Sequence, residues 1–345
     1  MTAPSPDGSA APPTGHPTPS PGRGGGALFR AFSRRSDASA IAATTVLFVA
    51  FSLGTANFLS PFNQFNVWRA ASQNVFIALG QAMVVLIGGM NLSLGAIGGL
   101  TVVIIGHSIE VLGWPPALAV AAGLATGGAC GLLNGFFISR FRLNSFVVTL
   151  ASSFVFQGLV NGISQGRPYS KIPASFTAVG KGAFLGMPNL LLLAAVALVL
   201  IHVAFRYTVV GRQLLATGGN AETARLSGIK TGRMVVLANV LSGLFGSLAA
   251  ALWVSRMGTA QPATGGDWLI VSFAVTVIGG TALSGGTISA PGFLFAGLLM
   301  ALIRNGLIML GVNVYFEQSY LGCIIMLAVL VEYFRTTVAS RARRL

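Results

Sequence analysis

Charged residues are scarce in this chain of 345 residues. They make up 8% of it, against roughly 25% in a soluble globular domain, and the mean hydropathy is +0.78. This composition excludes an ordinary water-soluble fold and predicts an integral membrane protein. Acidic residues are scarcer than basic ones, with seven Asp and Glu against 21 Lys and Arg. We find no carboxylate clearly inside an apolar run, where a proton-coupled carrier should hold one.

Cysteines and enzymatic motifs are also lacking. Cys130 and Cys323 both lie in apolar runs, so we interpret them as small buried side chains and not as a disulfide or metal site. No segment fits the phosphate-binding pattern G-x-x-x-x-G-K-[ST], and no Ser-His-Asp or metal-ligand spacing is evident. The sequence therefore predicts no enzyme, no metal site and no cofactor bound by this chain.

Glycine, in contrast, is abundant, with 45 residues. Glycine in membrane helices allows neighbouring backbones to approach closely. The apolar runs are continuous and of helix length, which argues against the alternating strands of a β-barrel. We predict an all-α polytopic bundle of about ten transmembrane helices, at residues 41–59, 72–89, 94–112, 116–138, 144–164, 188–205, 234–255, 268–283, 289–311 and 318–334.

The basic residues indicate the orientation of this bundle. With the N-terminus inside, fifteen Lys and Arg fall in cytoplasmic segments and five in outside segments, which predicts an N-in and C-in topology. The same bias explains the net charge of +14 without a nucleic-acid partner. We expect a disordered Pro/Gly-rich cytoplasmic tail (1–36), a transmembrane domain (37–336) with a large cytoplasmic loop (206–233), and a basic cytoplasmic tail (337–345).

Two glycine-rich segments resemble each other. IGGMNLS (87–93) and IGGTALS (278–284) agree at five of seven positions, which indicates either an internal repeat or a chance match. Glycine pairs followed by Asn or Ser allow a helix to break, and lipid tolerates this only where protein or water surrounds the backbone. We therefore predict a translocation path, with a tight contact between helices as the alternative, at Gly88, Gly89, Asn91, Ser93, Gly279, Gly280, Thr281 and Ser284.

A few other polar side chains fall at membrane depth. Their amides can bond a hydroxyl-rich solute or join one helix to another. We add Asn134 and Asn305 to the predicted path. The remaining polar groups at this depth are Gln81, Gln157, Asn161, Asn239 and Arg304.

The loop 206–233 contains signals for a short helix. Gly219 and Asn220 break the chain, and Asn220 can cap a helix that starts at Ala221. Glu222 suits the positive end of the helix dipole, and Gly228 ends the segment. An isolated helix of about two turns is marginal in water. It must therefore pack on its own bundle, lie at the headgroups or dock on a cytoplasmic partner.

Four segments of the chain together resemble the permease subunit of bacterial ribose-type ABC sugar importers, within a larger family that includes branched-chain amino-acid permeases. The resemblance covers residues 40–335. It rests on GGMNLSLGAIGGL (88–100), GLLNGFFISRFRLNSFVVTLA (131–151), GRQLLATGGNAETARLSGI (211–229) and VIGGTALSGGTISAPGFLFAGLLMALIRNGLIMLGV (277–312). One departure is Asn91, where the family often has Asp.

The resemblance implies a set of partners. It makes the segment around 221–226 similar to a coupling helix that docks on a separate ATP-binding subunit, which carries the ATP and Mg. The residues implied in docking are Gly219, Asn220, Ala221, Glu222, Arg225 and Gly228. A periplasmic sugar-binding protein, docked partly on 165–187, completes the expected assembly with a second permease in the lipid of the bacterial inner membrane. We expect this second permease to be another copy of the chain, with a sister permease as the alternative.

We therefore expect a transmembrane permease that imports a monosaccharide, meaning a pentose, a hexose or a related polyol, with ATP hydrolysed on a separate subunit. The near alternative is an ABC permease of the same kind that imports a nucleoside or a branched-chain amino acid. A stand-alone secondary carrier or channel is the alternative from another class.

Overall fold

The computed structural model describes residues 38–311, 313, 316, 318–320, 322, 323 and 326. Within them most of the chain is helical, and the strands form one hairpin of two residues each. The two predicted tails, 1–36 and 337–345, and most of the predicted span 318–334 lie outside the described residues. The all-α class is confirmed for the described part of the chain.

Each of the first nine predicted spans overlaps a helix. These helices are α1 (Ala38–Gly54), α2 (Pro61–Val85), α3 (Leu94–Glu110), α4 (Pro116–Phe141), α5 (Ser145–Ser164), α7 (Asn189–Tyr207), α10 (Thr231–Met257), α11 (Trp268–Ile278) and α12 (Ala290–Met309). Of the described helices, five are long and apolar enough to cross a membrane, namely α4, α5, α7, α10 and α12. The count of ten and the orientation stay predictions.

The shorter elements lie between the long helices. Residues 165–188, between α5 and α7, form a segment that we call the capping segment. It contains α6 (Ala174–Lys181) and the hairpin of β1 (Ala183–Phe184) and β2 (Met187–Pro188), which pair antiparallel. The predicted loop 206–233 is mostly helical, with α8 (Val209–Gly219) and α9 (Ala221–Leu226).

The prediction for the second span is wrong at both ends. Helix α2 begins at Pro61, eleven residues before position 72, because Pro61 suits the first helical position and the Ser60 side chain caps the Asn63 amide at 3.3 Å. Its polar first turns are stable because Asn63 and Gln64 each donate to the Phe58 carbonyl oxygen at 2.8 Å. The helix ends at Val85 because the chain turns at Gly88.

Glycines bring α4 and α10 into close contact. Gly127, Gly131 and Gly135 recur at every fourth position of α4, so they share one face. A methyl group on Gly131 would overlap the Asn239 carbonyl, and one on Gly135 would lie 2.7 Å from the Val236 Cα. Asn134 lies between two of these glycines on α4 and is buried.

The capping segment is fastened to the helix ends. The Ser255 hydroxyl donates to the Phe176 carbonyl at 2.5 Å and accepts from the Gly180 amide at 2.8 Å. The Glu110 carboxylate accepts from the Ser170 and Lys171 amides at 2.7 and 2.9 Å. These bonds give the predicted outer loop 165–187 a fixed structure.

Candidate functional site: the helix breaks and the α8–α9 loop

Helix α2 ends in a turn that starts the first break (86–93), which leads to α3. The Gly89 amide donates to the Val84 carbonyl at 3.0 Å and the Gly88 amide to the Val85 carbonyl at 2.8 Å, with φ +76° at Gly88. This pair of bonds around a left-handed glycine is the Schellman ending of a helix. The chain leaves the helix axis there, which confirms the predicted break.

A buried network of side chains holds the rest of the first break. The Asn91 amide nitrogen donates to the Ser242 hydroxyl of α10 at 2.8 Å, and its oxygen accepts from the Ser93 amide at 3.0 Å and the Ser93 hydroxyl at 2.7 Å. Asn134 of α4 donates to the same Ser93 hydroxyl at 2.8 Å. All four side chains are buried. The network is uncharged and joins the break to α4 and α10.

Helix α5 also holds the first break, through its first turns. The Met90 amide donates to the Ser145 hydroxyl, and the Leu92 amide donates to the Thr149 hydroxyl, both at 3.1 Å. Helix α5 thus satisfies backbone groups of the break that lipid could not, while α4 and α10 bond its side chains.

The second break (279–289) connects α11 to α12 with a related turn. The Thr281 amide donates to the Thr276 carbonyl at 3.1 Å and the Gly280 amide to the Val277 carbonyl at 3.0 Å, with φ +87° at Gly280. The left-handed residue is thus the second glycine of the pair, whereas in the first break it is the first. The buried hydroxyl of Thr281 has no hydrogen-bond partner among the described residues.

The two breaks and the end of α8 meet at one point, which we call the glycine junction (Leu86, Gly218, Gly285 and Gly286). The Gly286 amide donates to the Leu86 carbonyl at 2.8 Å. A methyl group on Gly218 would overlap the Leu86 carbonyl and lie 2.7 Å from the Gly286 nitrogen, and one on Gly285 would lie 2.8 Å from the Gly218 carbonyl. Backbone therefore touches backbone, with no room for a side chain.

The α8–α9 loop presents a short capped helix next to this junction. The Asn220 side chain accepts from the Thr223 amide at 2.9 Å, which confirms the predicted cap of a helix that starts at Ala221. Glu222 and Arg225 form an exposed ion pair at 2.7 Å, and Gly228 ends the segment with φ +83°. Leu226 is 80% exposed. The surface of α9 is thus open, and the end of α8 that precedes it contacts both breaks at Gly218.

An open cavity of about 300 Å³ lies beside the first break. Gly88 and Gly89 form one side, and residues from the ends of α4, α5 and α10 form the others. Asn239 of α10 is among them, and its side-chain oxygen is buried without a partner among the described residues. The cavity is large enough for several water molecules or a small polar solute.

Asn305, which was assigned to the path, and Arg304, another polar residue at membrane depth, lie apart from this site. Asn305 exchanges two amide hydrogen bonds with Asn63, at 2.8 and 3.2 Å, so it joins the start of α2 to α12. Arg304 pairs with Asp267 at 2.6 Å. The remaining predicted path residues belong to the two breaks or to the network that holds the first break. They are Gly88, Gly89, Asn91, Ser93, Asn134, Gly279, Gly280, Thr281 and Ser284.

Several residues that bear on this site, among them Ser242 and Gly218, were not predicted from the sequence. Ser242 accepts the Asn91 bond, and the signal for it was the run of small or polar residues Asn239, Ser242, Gly243, Gly246 and Ser247 on one side of α10. Gly218 closes the junction, but it had no local signal because its partners are more than sixty residues away in sequence.

Comparisons with known proteins agree with this architecture. The profile of the family described as branched-chain amino acid transport system permease component matches residues 63–331. The chain is 36% identical over 289 residues, or 83% of this chain and 89% of the relative, to the ribose import permease protein RbsC of Bacillus subtilis. It is 32% identical over 298 residues to RbsC of Escherichia coli K12, covering 84% of this chain and 91% of that one. It is 31% identical over 334 residues to the L-arabinose ABC transporter permease protein AraH of Azospirillum brasilense, covering 97% and 95%. No solved structure matches the chain.

Proposed function

The chain belongs to the family of permease components of branched-chain amino acid transport systems, and from this premise we propose that it is the membrane permease of an ATP-driven importer for a monosaccharide. The relatives named for ribose and L-arabinose import support the sugar class. ATP and Mg are bound by a separate ATPase subunit, and a periplasmic binding protein delivers the sugar. Two copies of the permease form the membrane part.

The glycine junction is the observation that supports this mechanism best. Helix α9 docks on the ATPase subunit through Gly219, Asn220, Ala221, Glu222, Arg225 and Gly228. Since α8 ends against Leu86 and Gly286 without an intervening side chain, a displacement of α9 reaches both breaks directly. Closely packed backbone transmits a shift because it has little room to deform. ATP hydrolysis thereby moves the two places where the membrane helices are interrupted.

The breaks line the solute path in this mechanism. Neither break contains an ionisable side chain, and Asn91, where the family often has a carboxylate, leaves the buried network without a charge. A neutral solute suits these segments because no fixed charge in them attracts or repels an ion.

Reconstitution tests the proposal. The permease is placed in liposomes with its ATPase subunit and binding protein, and uptake of labelled ribose, L-arabinose, adenosine and leucine is measured with and without ATP. We expect ATP-dependent uptake of one of the sugars. Uptake of leucine or the nucleoside alone would overturn the sugar class. Uptake that needs an ion gradient and no ATP would contradict the proposal that the chain belongs to an ATP-driven importer.

A charge exchange on α9 tests its docking. The double variant Glu222→Arg with Arg225→Glu retains an ion pair of the same spacing and inverts the surface charge of α9, although the reversed order suits the helix dipole less well. We expect uptake to fall at least about tenfold while ATP hydrolysis by the partner continues, because interface charge reversal disfavours the correct pairing. Arg140→Glu, exposed at the end of α4, is the control and should transport normally. Normal uptake by the double variant would rule out docking through α9.

A further inference from the structure

Helix α2 carries a buried amide that bonds nothing in the described part of the chain. Gln81 is fully buried, and neither the nitrogen nor the oxygen of its side chain has a hydrogen-bond partner among the described residues. Gln73, two turns earlier on the same helix, donates to the Ala249 carbonyl of α10 at 2.7 Å. Buried amides are normally hydrogen-bonded, because an unpaired one loses its bonds to water without a replacement. Gln81 therefore destabilises the conformation in which it lies.

The side of α2 that carries Gln81 faces α11 and α12. Asn74 precedes Gln81 by seven residues and so lies on nearly the same side of the helix. It donates to the Gly297 carbonyl of α12 at 3.2 Å. Ala78, one turn before Gln81, accepts from the Thr276 hydroxyl of α11 at 3.1 Å. Gln81 thus lies where α2 packs on the two helices that flank the second break.

Thr281 of the second break lies at about the same depth as Gln81. In an α-helix the carbonyl of residue i points towards residue i+4, so the Thr276 hydroxyl lies beside the turn from Ala78 to Ala82, which includes Gln81. The Thr281 amide returns to the Thr276 carbonyl at 3.1 Å. The buried Thr281 hydroxyl has no partner among the described residues. An amide and a hydroxyl, each able to donate and accept, are therefore unpaired on adjacent segments.

The second break can shift along α2 without losing a side-chain bond to it. In the described part of the chain, the side-chain hydrogen bonds of residues 279–289 are made within the break or to the start of α12. Helices α2 and α11 both lead into the glycine junction, where the Gly286 amide bonds the Leu86 carbonyl and the end of α8 contacts both. A displacement of α8 therefore moves Thr281 relative to Gln81.

We propose that Gln81 and Thr281 bond each other in the conformation that a displacement of α9 produces, and that they are positioning residues that stabilise that conformation. The inference rests on the proposed function, in which the ATPase subunit moves α9. In the conformation described above the two groups are unpaired and raise its free energy. In the other conformation they satisfy each other. The pair thereby shifts the equilibrium between the two conformations towards the second.

The proposal predicts opposite effects on stability and on transport. Gln81→Leu and Thr281→Val each remove an unpaired polar group, so the unfolding temperature of the nucleotide-free complex should stay the same or rise. ATP-dependent uptake in liposomes should fall about three- to tenfold in each variant, because the second conformation loses one hydrogen bond. Gln73→Leu is the matched control and should lower the unfolding temperature, because it removes the bond to Ala249. A lower unfolding temperature for Gln81→Leu, or normal uptake by either variant, would overturn the proposal.

A double variant tests whether the two residues act on each other. Gln81→Leu combined with Thr281→Val should lower uptake no further than either change alone, because both changes remove the same bond. Losses that multiply would show that the residues act separately and would contradict the proposal.

Trapping the complex with ADP and orthovanadate provides a second readout. It should raise the unfolding temperature of the unaltered complex more than that of the double variant, and equal rises would contradict the proposal. If the unaltered complex shows no ATP-dependent sugar uptake, the proposed function fails and this inference fails with it. Normal uptake by the variants beside an active unaltered complex overturns the inference alone.

Discussion

The two helix breaks have nearly the same sequence but are held in different ways. Side chains of α4, α5 and α10 bond the first break, and Asn91 is at the centre of a buried network. In the second break the Thr281 hydroxyl bonds no other described residue and Leu283 is half-exposed. This break is located mainly by backbone contacts at Gly279, Gly285 and Gly286. A similar motif therefore provides a fixed anchor in one place and a contact surface for α8 in the other.

The largest effect is expected at the glycine junction, where the two breaks meet α8. Gly218→Ala would place a methyl group onto the Leu86 carbonyl and force the segments apart. Overpacking of this kind costs about 1–3 kcal/mol, and it separates α9 from the breaks. We expect ATP-dependent uptake to be abolished, measured in liposomes beside the rate of ATP hydrolysis.

Gly54→Ala is the control for that variant. It adds the same methyl group at the end of α1, where nothing lies within 4 Å, and should transport at close to the normal rate. If both variants behave alike, the junction does not transmit the movement of α9.

Substitution of Asn91 tests how much its hydrogen bonds stabilise the first break. Asn91→Ala removes three hydrogen bonds and leaves the Ser93 and Ser242 groups buried without it, each at about 1–3 kcal/mol. We expect a markedly lower unfolding temperature in detergent, followed by fluorescence.

Asn91→Asp is the conservative comparison. A carboxylate can still accept both Ser93 bonds, and the Ser242 hydroxyl can rotate to donate to it. The unfolding temperature should change less than in Asn91→Ala. A carboxylate as destabilising as alanine would show that the network requires the amide donor.

The smallest effect is expected in the second break. Thr281→Val replaces a hydroxyl that bonds nothing in the described part of the chain with a methyl group of similar shape, so its unfolding temperature should remain the same or rise slightly. Thr149→Val, which removes the bonds to Met90 and Leu92, should lower it by an amount that corresponds to about 1–3 kcal/mol. Equal losses for the two variants would remove the distinction between the breaks.

Local features of this chain were predictable from the sequence. The cap at Asn220, the end of the segment at Gly228 and the breaks after Ile87 and Ile278 depend on residues within one or two turns. Helical runs were also predictable because membrane depth requires long apolar stretches.

Contacts between distant segments were not predictable in the same way. Asn305 was assigned to the path, yet it pairs with Asn63, 242 positions away. The meeting of Gly218 with both breaks likewise depends on how three helices cross. A single sequence shows that a polar residue needs a partner, but it does not show which helix supplies that partner.

The uncharged character of both breaks has an electrical consequence. Moving one elementary charge across the membrane exchanges about 2.3 kcal/mol per 100 mV with the membrane potential. A neutral sugar moving along segments without ionisable groups carries no current. The accumulation ratio should therefore be independent of voltage, and depolarisation by an ionophore at constant ATP should leave the rate of uptake unchanged.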